Sequence, residues 1–379
     1  MTVSPQLDDP FETQKQVLAA LMQLEESLKE LNDGVSPPTL SHYRSIPEDV
    51  KESYSLLTQG AEIIHASSTK YTLLGKLDAT EQGRALRDIV NGCQLMGTAC
   101  LVIHDDQTGC ARPTRQHCKR VTRAMVLSVL QMIHVWVDQL AQGSDNNLGA
   151  QKAGTVWEKC NVILEKRLPQ GNRNCIRRDL LTYMKDCADT MTEFQDLIDQ
   201  GPSTAERAEV LDTNDTDFSV LHMLQQALDG DESTYTENEL PVATATLYLI
   251  KLSRGCINLS MQCMEEITGY AADHEEVSRL DWISKLYDLA HDVGVGVTDL
   301  GATMYPPLQV SSLKEQVEHQ CTVIRNLLSC VSELREFIRK ATNSNQTLSL
   351  DTISLFSKLE TAFQKRHGEA MHAIEMFTS

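Results

Sequence analysis

Residues 292–307 read DVGVGVTDLGATMYPP, and the three glycines Gly294, Gly296 and Gly301 raise the question of a phosphate-binding loop. A G-x-G pair cradles phosphate when it follows a strand and opens a helix, because the backbone N–H groups then converge on the anion. The preceding ISKLYDLAHD is already helical in pattern. Leu280, Ile283, Leu286, Ala290, Val293, Val297, Leu300 and Met304 carry one apolar stripe straight through the glycines. The spacing therefore predicts a helix in which glycine lets a neighbour come close, ended by Pro306 and Pro307.

Metal chemistry would need paired soft ligands. His104, Cys110, His117 and Cys118 fall near one another in sequence, but their spacing lacks the two tight pairs of a zinc site. Asp105 and Asp106 form a carboxylate pair that reads as a solvated loop. No nucleophile elbow, zinc-protease or calcium-loop pattern appears, so the sequence offers no catalytic or cofactor-binding residue and no metal ligand set. The expectation is a protein that is not an enzyme and takes no cofactor.

Residues 111–123, ARPTRQHCKRVTR, carry five Lys/Arg ahead of a helix, a turn and a helix. A DNA-reading basic region must itself be a continuous helix. Pro113 reads as an interruption, and the helix after it is apolar on more than one face, so this stretch is expected to be a solvated basic loop rather than a nucleic-acid contact. The net charge of −19 points the same way, since so acidic a surface repels nucleic acid and anionic lipid. No run of 18 apolar residues exists and the first residues lack the pattern of a secretory leader, so the chain is expected to be soluble, intracellular and without membrane contact. Eleven cysteines, with Cys93/Cys100 and Cys256/Cys263 each seven apart, read as small buried apolar residues with free thiols.

The elements that would carry these residues are almost all helices. Apolar residues recur at helical period over about 17–31, 45–77, 78–103, 119–141, 150–167, 173–199, 239–268, 273–304, 310–341 and 350–377, and 105–118 reads as loop. Ser45 with Glu48, Asp78 with Glu81 and Asp273 with Glu276 are spaced as helix-opening caps. The heptad runs at 313–338 and 353–377 fit a bundle core better than a free zipper. Residues 201–239 hold ten Asp/Glu against one Arg and read as a partly disordered acidic linker, with one short amphipathic stretch at Phe218, Leu221, Leu224 and Leu228. The predicted architecture is all-α: two elongated antiparallel helical bundles in series, with domains at 1–200 and 239–379 and the acidic linker at 201–238.

Four collinear stretches carry a family likeness: RDIVNGCQLM (87–96), GTVWEKC (154–160), YMKDCADTMTEFQ (183–195) and DLGATMYPPL (299–308). They resemble the cyclin-D-binding protein family, also known as the Grap2 and cyclin-D interacting proteins, over about residues 80–340. The resemblance implies a fold related to vinculin, α-catenin and the talin rod. It implies binding to D-type cyclins, to the Grap2 adaptor and to helix-loop-helix transcription factors, negative regulation of cell-cycle progression, and residence in cytoplasm and nucleus. It assigns no contact residue. A cytoskeletal adaptor that binds actin or helical partners is the second reading.

Overall fold

The computed structural model describes residues 10–32, 40, 42–73, 79–142, 148–201, 234–269, 276–341 and 348–378. Among them are ten α-helices and no strand: α1 (Pro10–Glu30), α2 (Glu48–Leu73), α3 (Ala79–His104), α4 (Arg112–Gln142), α5 (Leu148–Leu164), α6 (Gly171–Asp199), α7 (Leu240–Ile267), α8 (Glu276–Ala302), α9 (Val310–Ala341) and α10 (Leu350–Thr378). The all-α expectation is met. The caps at Asp78 and Asp273 and the amphipathic stretch at 218–228 lie outside the described residues.

Two compact units emerge, one of Met1–Arg178 with Glu276–Asp281, the other of Asp179–Glu275 with Trp282–Ser379. Helix α6 contributes its first turns to one unit and the rest to the other. The first unit packs α1 to α5 around Leu21, Leu57, Ile64, Ile89, Cys93, Met96, Val129 and Val156, all essentially without solvent contact. Helices α2 and α3 cross with their backbones almost touching. A Cβ added at Gly60 would lie 2.6 Å from the Gly92 carbonyl oxygen, and one at Gly92 would lie 2.7 Å from Ile64. No residue larger than glycine fits such a crossing without separating the helices.

The end of this unit near the start of α6 is tied by one buried amide. Asn172 Oδ1 accepts from the Ala111 N–H (2.7 Å) and the Thr114 hydroxyl (3.0 Å), and its Nδ2 donates to the carbonyls of Gly109 (3.1 Å) and His42 (3.2 Å). Each of its hydrogen-bonding groups is thereby engaged, as burial demands.

In the second unit α7 carries sixteen buried residues, Val242 to Ile267, and α10 and α9 pack against it. Three serine and threonine residues inside α7, Thr246, Ser253 and Ser260, bond back to the carbonyl four residues earlier, which hides their hydroxyls in an apolar core. Helix α7 is opened by a capping box that the sequence reading missed. The Thr236 N–H donates to Glu239 Oε2 (2.8 Å), and the Glu239 N–H returns to the Thr236 hydroxyl (3.3 Å).

Candidate functional site

The glycines of 292–307 lie in α8, with helix on both sides. Their hydrogens face close neighbours from other helices. A Cβ at Gly294 would sit 2.4 Å from Tyr183 Cγ, one at Gly296 would sit 2.0 Å from Gln320 Oε1, and one at Gly301 would meet Thr190 Cγ2 at 3.2 Å. That is helix packing, as the spacing predicted, and leaves no room for a phosphate. Around the first contact, Tyr183 stacks on His291 with ring centroids 5.5 Å apart, and Tyr287 donates to Asp179 Oδ2 at 2.6 Å.

The residues screened for metal chemistry are dispersed into structural roles. His104 Nδ1 bonds the Cys100 carbonyl one turn back (2.8 Å), while His117 faces Arg120 on α4 (2.5 Å). Cys118 is buried in the core of the first unit, where its thiol is held well above the ordinary value. Among the described residues no group of three or more His, Cys, Asp or Glu is arranged to hold a metal ion. Asp105 caps the short 3₁₀ turn Asp106–Thr108 by accepting from the Gln107 N–H (2.9 Å), and Asp106 pairs with Arg115 (2.9 Å). All eleven cysteines are buried and reduced. Burial pushes the thiols of Cys256 and Cys263 up to about 12, and those of Cys321 and Cys330 to about 11. Such thiols are overwhelmingly protonated at neutral pH, so they are poor nucleophiles and poor metal ligands.

The basic stretch 111–123 corrects the sequence reading. It is helix, not loop: α4 starts at Arg112, with Pro113 in the first turn, where a missing N–H costs nothing. Nor is it solvated throughout. Arg115 is only 3% exposed and bonds Asp106; Arg123 pairs with Glu25 of α1 (2.5 Å); Lys119 donates to the Leu31 carbonyl at the end of α1 (2.5 Å). These cations fasten α1 and the 105–109 turn to α4, which leaves little of the run to face a DNA backbone.

The stretches that carried the family likeness turn out to be packing contacts. Gly92 makes the α2–α3 crossing. Trp157 donates to the Ser68 hydroxyl (3.2 Å), and Cys160 meets Met125 (3.8 Å). The segment 303–309, between α8 and α9, is a junction. Tyr235, fully buried, donates to the Met304 carbonyl (2.6 Å), and the Leu308 N–H donates to Glu239 Oε1 (2.6 Å). Tyr305 donates to Glu193 Oε1 (2.5 Å) and packs its ring edge-on against Phe194 (5.1 Å). Burial raises the Glu239 carboxyl, but the hydrogen bonds from Thr236 and Leu308 outweigh it and hold the group below the ordinary carboxylate value. One carboxylate thus caps α7 and fixes the α8–α9 connection.

The distinctive residues, then, define an all-helical protein whose chemistry is spent on fastening helices to one another. Two family models match the chain, Grap2 and cyclin-D-interacting, N-terminal, over residues 56–200, and Grap2 and cyclin-D-interacting, C-terminal, over residues 214–329. The chain belongs to the Grap2 and cyclin-D-interacting protein family. A Xenopus laevis protein described as cyclin-D1-binding protein 1 homolog is 21% identical over 216 residues, which is 57% of this chain and 60% of the relative. The match therefore spans about three fifths of that relative's length. The family description names binding rather than catalysis, and no helix among the described residues is long and apolar enough to cross a membrane.

Proposed function

We propose that this chain is an interaction protein that binds D-type cyclins and Grap2-type adaptors and restrains cell-cycle progression, in both cytoplasm and nucleus. The observation that carries the reading is the paired match to the N- and C-terminal family models over most of 56–329. The structure supports a binding role by what it does with reactive residues: the histidine, cysteine and aspartate groups that could have served catalysis cap turns, pair with arginines or fill the core. Docking of a partner helix in a groove between packed helices is the mode such a scaffold offers. The helix-loop-helix partners implied by the resemblance have no support from the comparisons.

The test is titration of the full chain with a purified D-type cyclin followed by calorimetry. Saturable binding in the micromolar range or tighter is the expected result. No heat and no co-elution at micromolar concentrations of both proteins would remove the cyclin from the reading.

A further inference from the structure

The chain has two basic runs, and the structure treats them in opposite ways. The run at 112–123 is largely consumed by internal contacts. The run EKRLPQGNRNCIRRD (165–179) leaves Lys166, Arg167, Arg177 and Arg178 exposed, with Arg173 half-buried between them. Exposed Arg44 lies in the adjoining segment, whose Tyr43 carbonyl accepts the Arg173 N–H (3.2 Å). Arg178 Nη1 donates to the Arg167 carbonyl (2.6 Å), which ties the cations of α6 to those of the turn before it. The acidic groups alongside are few: Glu165, paired with Arg167; Asp179, which accepts from the Tyr287 hydroxyl; and Glu48 and Asp49 at the start of α2, of which Glu48 is paired with Lys51. In a chain of net charge −19 this is a local reversal of sign.

Two features show that local stability does not account for these cations. Helix α5 closes with the Arg167 N–H on the Val162 carbonyl and the Lys166 N–H on the Ile163 carbonyl, both 3.0 Å, which puts Lys166 at the left-handed position of the turn, with φ 57°. Glycine is the favoured residue there, and a lysine is strained. Arg173 lies in the first turn of α6, where the helix macrodipole favours acidic side chains and opposes basic ones.

We propose that the exposed cationic surface of Lys166, Arg167 and Arg177 docks an acidic peptide segment of a partner protein. A short run of carboxylates matches a patch built on about a dozen residues. A long polyanion would overrun it onto a surface that is acidic elsewhere and be repelled. The inference stands whether or not the partner is a cyclin.

The experiment measures anisotropy of fluorescein-labelled decaglutamate on the full chain at about 50 mM and about 200 mM salt, with labelled decalysine and a short DNA duplex as comparison probes. Decaglutamate should bind saturably at low salt, weaken as salt rises, and bind more tightly than the duplex. The triple variant Lys166→Gly, Arg167→Gln, Arg177→Gln should bind it at least about tenfold more weakly. Its thermal midpoint should not fall, because glycine relieves the left-handed turn, and Lys166→Gly alone should raise the midpoint while weakening binding. Equal binding by the triple variant overturns the proposal. Duplex binding as tight as decaglutamate, with the same loss in the variant, replaces it with a general anion surface. Much tighter decaglutamate binding after Asp212, Asp215, Asp217, Asp229 and Asp231 are changed to Asn would show the chain's own acidic segment as the occupant, and would overturn the partner assignment.

Discussion

The ring of Tyr183 on α6 lies against the bare Cα of Gly294 on α8, so close that a methyl group there would fall 2.4 Å from Tyr183 Cγ and 2.8 Å from its Cβ. The obstruction is at the root of the side chain, where rotation about χ angles cannot clear it. Gly294→Ala is therefore expected to destabilise the protein by about 2 kcal/mol, even though alanine is the better helix former by about 1 kcal/mol. Urea unfolding followed by circular dichroism measures it. The glycines Gly154 in α5 and Gly368 in α10, with nothing within 4 Å of an added Cβ, supply the control: alanine there should stabilise by about 0.5–1 kcal/mol. Equal effects at all three positions would mean that Gly294 is not a packing residue.

How much of this could be read from the chain depended on whether the cause was local. The apolar stripe through Gly294, Gly296 and Gly301 is a periodic signal, and it located both the helix and the close approach. The identity of the neighbour, Tyr183 more than a hundred positions earlier, left no mark in the pattern. Pattern alone misplaces the start of α4, because Pro113 reads as a breaker, although in a first turn it breaks nothing. The same basic run could not be sorted into buried and solvated parts, since the partners of Arg115, Lys119 and Arg123 come from a turn and from α1. Thr236 and Glu239 had the local spacing of a capping box and were obscured by the acidic composition around them.

Glu239 makes the stability of the second unit depend on pH in a definite direction. Its carboxyl is held below the ordinary value in the folded state, so its contribution is fully present above the unfolded pKa of about 4.3 and is lost as pH falls through the lower folded value. Glu239→Gln removes charge-assisted bonds to Thr236 and Leu308 and should cost about 2 kcal/mol at pH 7. The difference between variant and parent should shrink as pH drops toward about 3. Urea midpoints at both pH values test this, and a difference independent of pH would show that the carboxylate is not the tether.

Buried thiols give a second solution signature. Eleven cysteines would ordinarily make a protein sensitive to thiol reagents. Here every one is buried, and desolvation drives the thiols of Cys160, Cys187, Cys256 and Cys263 up to about 12. The native chain should react with Ellman's reagent at pH 8 only as fast as it opens, and all eleven thiols should react at once in guanidinium. A prompt native burst of one or more thiols would contradict the burial assigned to them.

Asn172 is the sharpest test of the first unit, because its one amide holds two stretches of chain, the Gly109, Ala111 and Thr114 groups at the start of α4 and the His42 carbonyl. Asn172→Ala strands two donors and two carbonyls in a site that is 4% exposed, and should cost about 2–4 kcal/mol. Asn172→Asp is nearly the same size but turns an acceptor toward the Gly109 and His42 carbonyls, where the amide had donated. Those oxygens repel the ionised form, so the carboxyl's folded pKa rises above its unfolded value of about 3.9. The penalty should then grow as pH rises above that value and ease below it, where a protonated acid can donate one bond. The Asp variant should approach the parent in urea midpoint near pH 4 and fall well behind it at pH 8. A penalty that is flat with pH would mean that the two carbonyls are not what the Asn172 amide is holding.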